Sequence, residues 1–294
     1  MVTYKILILL SLIIIYLFIQ FIYFPRINNK IYLGGKKIIS KLRKVKEKDQ
    51  TFNSIKKYYI NLDRSIGRKE SIEEEFRLYG IINYERVSAC DGKNMEKKKE
   101  GKFGDTKYKA PNDTKSSMRE LATTCSHIKA IKRAYDNGDE LAIIMEDDNK
   151  FTLMSYWDKE LKELINELPD DWEIFKLVSG FEENFIYLKK FLNLDISDKF
   201  KNQKIVKRNR NNSSAVCYAI NRKGMRKMLN LFYQKDYINL IYKINMIDRE
   251  IFNNFIVYET KKNLFLLDSF ELESTIYNRN LYWDSLQILK SYDI

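Results

Sequence analysis

The sequence predicts an α/β domain with a mostly parallel central sheet, preceded by one transmembrane helix. Short apolar runs alternate with longer stretches of helical spacing, which is the pattern of strands separated by crossover helices. Several of the apolar runs end in polar or acidic residues, as strand ends facing a ligand crevice do. The third observation is an uncharged apolar stretch close to the start of the 294-residue chain.

That stretch, Ile6–Phe24, has Ser11 and Gln20 as its clearly polar residues. As a helix it would measure about 28 Å, close to the hydrocarbon thickness of a bilayer. Tyr23-Phe24-Pro25-Arg26 follows it, with none of the small residues of a signal cleavage site. Residues 1–24 are therefore expected to form an uncleaved, single-pass membrane anchor. Residues 25–50 form a basic stem, with nine Lys/Arg against two Asp/Glu. The chain's formal charge is +12, and the stem and Lys5 leave only +4 for residues 51–294. A nucleic-acid binder should carry its positive charge on the folded domain, so no nucleic-acid partner is expected. A basic stem suits anionic headgroups instead. Flanking charge favours a cytosolic domain, whereas sequons at Asn112, Asn211 and Asn212 would be used only in a secretory lumen. The two signals oppose each other, and the sequence does not fix the side.

In residues 51–294, Tyr58–Leu62 reads as the first strand. Ile72, Phe76 and Tyr79 then recur at helical spacing, with Gly80 as a stop. "INYERVSAC" is a second strand closed by Asp91-Gly92. Lys93–Ser117 is Lys-rich and lacks periodicity, so a mobile loop is expected there. Met118–Asn137 is a helix with Ile128, Ile131 and Tyr135 on one face and Gly138 at its end. Leu141–Met145 is a strand, and Tyr156–Leu168 a helix stopped before Pro169. Trp172–Gly180 and Ser214–Ile220 are strands, and "NRKGMRKMLNLFY" is another helix. The basic run Lys201–Asn212 reads as a solvated loop or as a site for phosphates or an acidic acceptor.

The densest acidic knot, Glu146-Asp147-Asp148, stands at the end of the most strand-like segment, "LAIIM". Carboxylates gathered at one point raise each other's pKa unless a cation shares the charge. Mn2+ or Mg2+ would serve, since such ions take one or two carboxylates plus substrate phosphates. A solvated acidic turn is the alternative. Three spaced cysteines (Cys90, Cys125, Cys217) and one histidine make a Cys/His zinc site or a disulfide framework improbable. Structural, reduced thiols are expected. His127 by itself reads as a buried, hydrogen-bonded core histidine.

Several segments together resemble glycosyltransferase family 25, the lipopolysaccharide and procollagen galactosyltransferase type. They are "YINLDRSIGR" (Tyr59–Arg68), "ERVSACDGK" (Glu85–Lys93), "ELATTCSH" (Glu120–His127), the "EDD" strand end, "CYAINRKGMRKML" (Cys217–Leu229), "NMIDREIF" around Asp248, and "ELESTI" near the C-terminus. The resemblance spans roughly residues 56–278. It implies a GT-A-like nucleotide-sugar-binding fold, a UDP-sugar donor, Mn2+ (or Mg2+), and transfer with inversion to a hydroxyl of a glycan or protein acceptor. Galactose or glucose is the implied hexose. Carried over residue by residue, Asp148 with Glu146 or Asp147 would hold the metal and the donor diphosphate. Asn61, Asp63 and Arg68 would lie around the nucleotide, with Asp147 and His127 also on the cofactor side. Asp248 would be the catalytic base, its alternative being a helix-start acid. Arg119 and Ala122 stand where the family prefers Gly, and Thr123 where it has Cys; these departures are expected to affect local packing. The reading from another class is a membrane-tethered binding module on a catalytically inactive glycosyltransferase fold.

Overall fold

The computed structural model describes residues 50–93, 95–96, 98–151, 154, 157, 159–178, 204–208, 214–260 and 264–267. The expected anchor at residues 6–24, the stem apart from Gln50, and the "ELESTI" segment lie outside the described residues. Among those described, no helix is long and apolar enough to cross a membrane.

In chain order the elements are α1 (Gln50–Ser54), β1 (Lys56–Asn61), α2 (Ile66–Leu78), β2 (Tyr84–Ser88), β3 (Glu100–Phe103), β4 (Thr106–Lys109), α3 (Met118–Asp136), β5 (Leu141–Glu146) and β6 (Asn149–Lys150). There follow α4 (Leu161–Asn166), β7 (Ile174–Lys176), β8 (Ile205–Lys207), β9 (Cys217–Asn221), α5 (Arg222–Phe232), β10 (Tyr233–Gln234) and β11 (Tyr237–Asn239). A π-helical turn (Ile247–Ile251) and a 3-10 turn (Phe252–Asn254) lead to β12 (Val257–Thr260) and β13 (Leu266–Leu267).

The main sheet has seven strands in the order β2-β1-β5-β9-β7-β12-β8. β2, β1, β5, β7 and β12 run in one direction, whereas β9 and β8 run against them. The carboxyl ends of β1, β2 and β5 thus meet at one edge, and the entry to β9 reaches the same edge. Alternation along the strands separates two cores. Tyr58, Ile144 and Tyr218 face α3 and α5 on one side. Tyr59, Ile143, Met145 and Phe175 join Ile72 and Phe76 of α2 on the other. Burying each such side chain contributes about 1.5–3 kcal/mol.

Helix α3 forms where its periodicity places it, and its start is fixed by a capping box. The Ser117 backbone N–H donates to Glu120 Oε2 at 2.7 Å, and the Glu120 N–H donates to Ser117 Oγ at 3.3 Å. Gly138, at φ +82°, ends it. The three cysteines are free and buried, as expected.

Four segments differ from expectation. Within Lys93–Ser117, β3 and β4 form a hairpin that joins a four-stranded sheet, β10-β11-β4-β3. Phe103 stacks on Tyr108 across the hairpin, with ring centroids 4.5 Å apart, and both join the core beside Ile238 of β11. Among the described residues of the expected helix Tyr156–Leu168, the helical stretch is Leu161–Asn166. Among the described residues of the expected strand Trp172–Gly180, Ile174–Lys176 pairs, and Ile205–Lys207 of the basic run adds an edge strand.

Candidate functional site

A cleft open to solvent lies where β1, β2 and β5 end. Among the described residues, Arg64, Arg68, Arg119, His127, Glu146 and Asp147 line it. Its wall beside β2 depends on Gly92, because a Cβ there would stand 2.3 Å from the Met118 carbonyl oxygen at the start of α3. On the same wall Ser126 Oγ accepts the Cys90 N–H at 2.8 Å and donates to the Ala122 carbonyl at 2.8 Å.

The acidic turn after β5 is organised by Arg68, from the first turn of α2. Arg68 Nε donates to Asp147 Oδ1 at 2.7 Å, and its terminal NH2 contacts the same oxygen. That NH2 also stands 3.4 Å from Asp148 Oδ2. Asn61 Nδ2, at the end of β1, donates to Asp147 Oδ2 at 2.7 Å. Asp147 is therefore saturated by two neighbours, whereas Asp148 Oδ1 is buried with no hydrogen-bond partner. Burial pushes the Asp148 carboxyl up to about 7; Arg68 opposes the rise, and the charges of Glu146 and Asp147 reinforce it. Arg68 itself is held firmly as a cation: burial works against the charge, and Asp148 and Asp147 outweigh it.

Glu146 leans on a different support. His127 Nε2 is 3.4 Å from Glu146 Oε1, and His127 Nδ1 is 3.1 Å from the Tyr218 hydroxyl. Burial works against the Glu146 charge, but His127 and Arg68 outweigh it, and the carboxyl lies below its ordinary range.

A model of glycosyltransferase family 25 (LPS biosynthesis protein) matches residues 54–246. The chain belongs to glycosyltransferase family 25. The match covers about two-thirds of the 294 residues and includes the three strand ends that build the cleft. No curated protein matches the chain. The family gives glycosyltransferase activity, with a sugar donor and an acceptor.

Within this family-25 domain, the expected site residues divide into three groups. Arg68, His127, Glu146 and Asp147 line the cleft, and Asp148 meets Arg68 beside it. Asn61 and Asp63 support them from behind. Asn61 is buried and accepts from Arg86 Nε at 2.9 Å through its Oδ1. Asp63 accepts from Arg86 at 2.6 Å and from Ser88 Oγ at 2.8 Å, and these bonds hold its pKa down. The third group is Asp248 alone, on the π-helical turn two residues beyond the family match. Its Oδ2 accepts the Ser214 N–H at 3.0 Å, where Ser214 adopts φ +101°. Arg208 donates to its backbone carbonyl.

Asp63 and Arg64, adjacent in sequence, take different partners: Asp63 pairs with Arg86, and Arg64 Nε donates to Asp91 at 2.6 Å. Arg119, Ala122 and Thr123, the departures from the family pattern, all border the cleft. The sequence reading also passed over Tyr218 and Asp91. Tyr218 lies in the quoted "CYAINRKGM" segment, but nothing in its spacing reveals that it faces His127 from 91 residues away.

The donor set fits a divalent cation in part. Among the described residues, no three His, Cys, Asp or Glu side chains are grouped to hold a metal ion. A hard cation that also takes substrate phosphates needs only one or two carboxylates. The unpartnered Asp148 Oδ1, with Glu146 nearby, meets that smaller requirement.

Proposed function

We propose that the chain transfers a hexose, galactose or glucose, from a UDP-sugar to a hydroxyl of a glycan or protein acceptor, with inversion, on a GT-A-like fold. The observation that carries this reading is the buried, unpartnered Asp148 oxygen beside Arg68 at the end of β5. A polar atom left that way costs free energy unless a ligand completes it. Asp148 and Glu146 would hold Mn2+ or Mg2+. When bound, that ion supplies Lewis-acid stabilisation of the charge on the departing diphosphate.

The chain's own residues account for the rest. Arg64, Arg68 and Arg119 bring to the cleft the type of donor that suits phosphate oxygens, alongside the carboxylates that Arg64 and Arg68 already meet. Asn61 fixes Asp147, which in turn keeps Arg68 at the cleft. In the transfer, the acceptor hydroxyl oxygen forms the new bond to the sugar's anomeric carbon. The bond from that carbon to the diphosphate breaks, UDP leaves with the electron pair, and the hydroxyl proton passes to Asp248. Residues 6–24 would tether the enzyme to a membrane, a reading that rests on the sequence.

Calorimetric titration of UDP into the full-length protein, with Mn2+ and with EDTA, tests the donor site. The expected result is UDP binding that tightens at least tenfold with Mn2+. Equal binding in both conditions would remove the metal from the proposal, and no binding would remove the nucleotide.

A further inference from the structure

We propose that Arg208 is a positioning residue for Asp248: its guanidinium clamps the turn that carries Asp248, while the backbone N–H of Ser214 fixes the carboxylate from the other side. The part Asp248 plays in transfer rests on the proposed glycosyltransferase reading; the clamp does not. Arg208 belongs to the basic run Lys201–Asn212, which the sequence leaves open between a solvated loop and a phosphate site. The fold turns this arginine inward. Its own N–H donates to the Val257 carbonyl of β12 at 2.9 Å, so the side chain hangs from the edge of the main sheet. One terminal nitrogen donates to the Asp248 carbonyl, and the other to Asn253 Oδ1 at 3.1 Å. The fork thus joins the π-helical turn to the 3-10 turn that follows it. A planar guanidinium spans two acceptors at fixed angles, which a lysine ammonium on its flexible stem does not. Burial works against the Arg208 charge, and Glu259 and Asp248 offset part of that cost.

The carboxylate of Asp248 is constrained as well. Its Oδ2 accepts the Ser214 N–H at 3.0 Å, and Ser214 is a buried residue at φ +101°. Side chains rarely adopt that backbone conformation, and it persists only where the surroundings over-determine it. Ser214 Oγ accepts the Val216 N–H at 3.4 Å. The Val216 carbonyl in turn accepts from the Glu146 N–H at 2.8 Å and from Asn149 Nδ2 at 3.0 Å. Asp248 is therefore registered against the acidic turn at the end of β5, through the residues at the entry to β9. A turn that only closed a loop would need neither a strained donor nor that link. With the carboxylate fixed by Ser214, the aim of Asp248 depends on where its backbone stands, and Arg208 holds that backbone at the carbonyl. A misplacement of about 1 Å between a catalytic group and its substrate can cost about 100-fold in rate.

Steady-state kinetics of the full-length protein, with Mn2+, a UDP-sugar that the wild type turns over and a hydroxyl acceptor, test the clamp in Arg208→Ala and Arg208→Lys. In Arg208→Ala, kcat per folded molecule should fall about 100-fold, with the donor KM and the UDP affinity within about twofold of wild type. Arg208→Lys, which keeps the charge and one donor, should recover about tenfold of that loss. Guanidinium ion at low millimolar concentration should restore part of the turnover of Arg208→Ala and none of that of Arg208→Lys. An arginine that only supports the fold would lower the melting temperature and leave kcat per folded molecule unchanged. Wild-type kcat in folded Arg208→Ala would overturn the proposal, as would a loss that appears in the donor KM or one that guanidinium leaves untouched. Should Arg208→Ala not fold, Asn253→Ala, which removes one partner of the fork, should lower kcat by a few-fold with KM unchanged; wild-type kcat there would overturn the proposal equally. If the wild type turns over no donor, the glycosyltransferase reading fails on its own and hydrogen exchange decides the clamp. Amides of residues 246–254 should then exchange faster in Asn253→Ala than in wild type, and equal exchange would show that the fork does not hold the turn.

Discussion

Asp148→Asn should make the metal-free protein more stable above neutral pH while abolishing most of its turnover. The Asp148 carboxyl moves from an ordinary 3.8 in the unfolded chain to about 7 in the fold. Its proton is held more tightly in the folded state, so its contribution is favourable at low pH and is lost as pH rises from about 4 through 7. At roughly 1.4 kcal/mol per pH unit, the ionised side chain costs the fold about 4 kcal/mol by pH 8. Asparagine has nearly the same shape and cannot ionise, so it escapes that cost. Urea unfolding followed by tryptophan fluorescence, in EDTA, reads the difference. The two proteins should match near pH 4, and the variant should lead by about 4 kcal/mol at pH 8, a midpoint gain of roughly 10 °C on heating. Turnover with Mn2+ should fall by about two to three orders of magnitude. A variant that is less stable than wild type at pH 8, or a difference that does not change with pH, would refute the idea that burial of Asp148, with its Oδ1 unpartnered, costs the fold free energy when the carboxyl ionises.

Other substitutions test neighbouring parts of the account. Asp248→Asn keeps an oxygen for the Ser214 N–H but cannot take a proton, so turnover should drop about 10²- to 10⁴-fold with the melting temperature little changed; wild-type turnover would reduce Asp248 to a loop support. Gly92→Ala forces a methyl group to within 2.3 Å of the Met118 carbonyl and should cost about 1–3 kcal/mol in a denaturant melt. Ser117→Ala removes half of the capping box of α3 and should cost about 1 kcal/mol, read as a fall of a few degrees on heating.

What could be read in the sequence follows from how local each signal is. The strand β5 and its acidic end are visible because five apolar residues run directly into three acids. Helix α3 is visible because its periodicity and terminal glycine agree within one segment, whereas its capping box at Ser117 and Glu120 was not read. The β3–β4 hairpin was missed although Gly104-Asp105 between its strands is a hairpin turn signal. Its strands carry only Phe103 and Tyr108 as large apolar residues, and the surrounding lysines hid the alternation. The site shows the same division. A cation was expected at the acidic knot, and part of that charge comes from Arg68, 79 residues earlier in the chain. The pairing of Asp63 with Arg86 and of Arg64 with Asp91 is also set by strand order rather than by sequence proximity.

The most direct test of the account is UDP release by the full-length protein from a panel of UDP-sugars, with Mn2+ and with EDTA, in the presence of hydroxyl-bearing glycan and protein acceptors. The account predicts metal-dependent release from UDP-galactose or UDP-glucose. No release from any donor by protein shown to be folded would contradict it, and would leave a carbohydrate- or protein-binding module on an inactive glycosyltransferase fold.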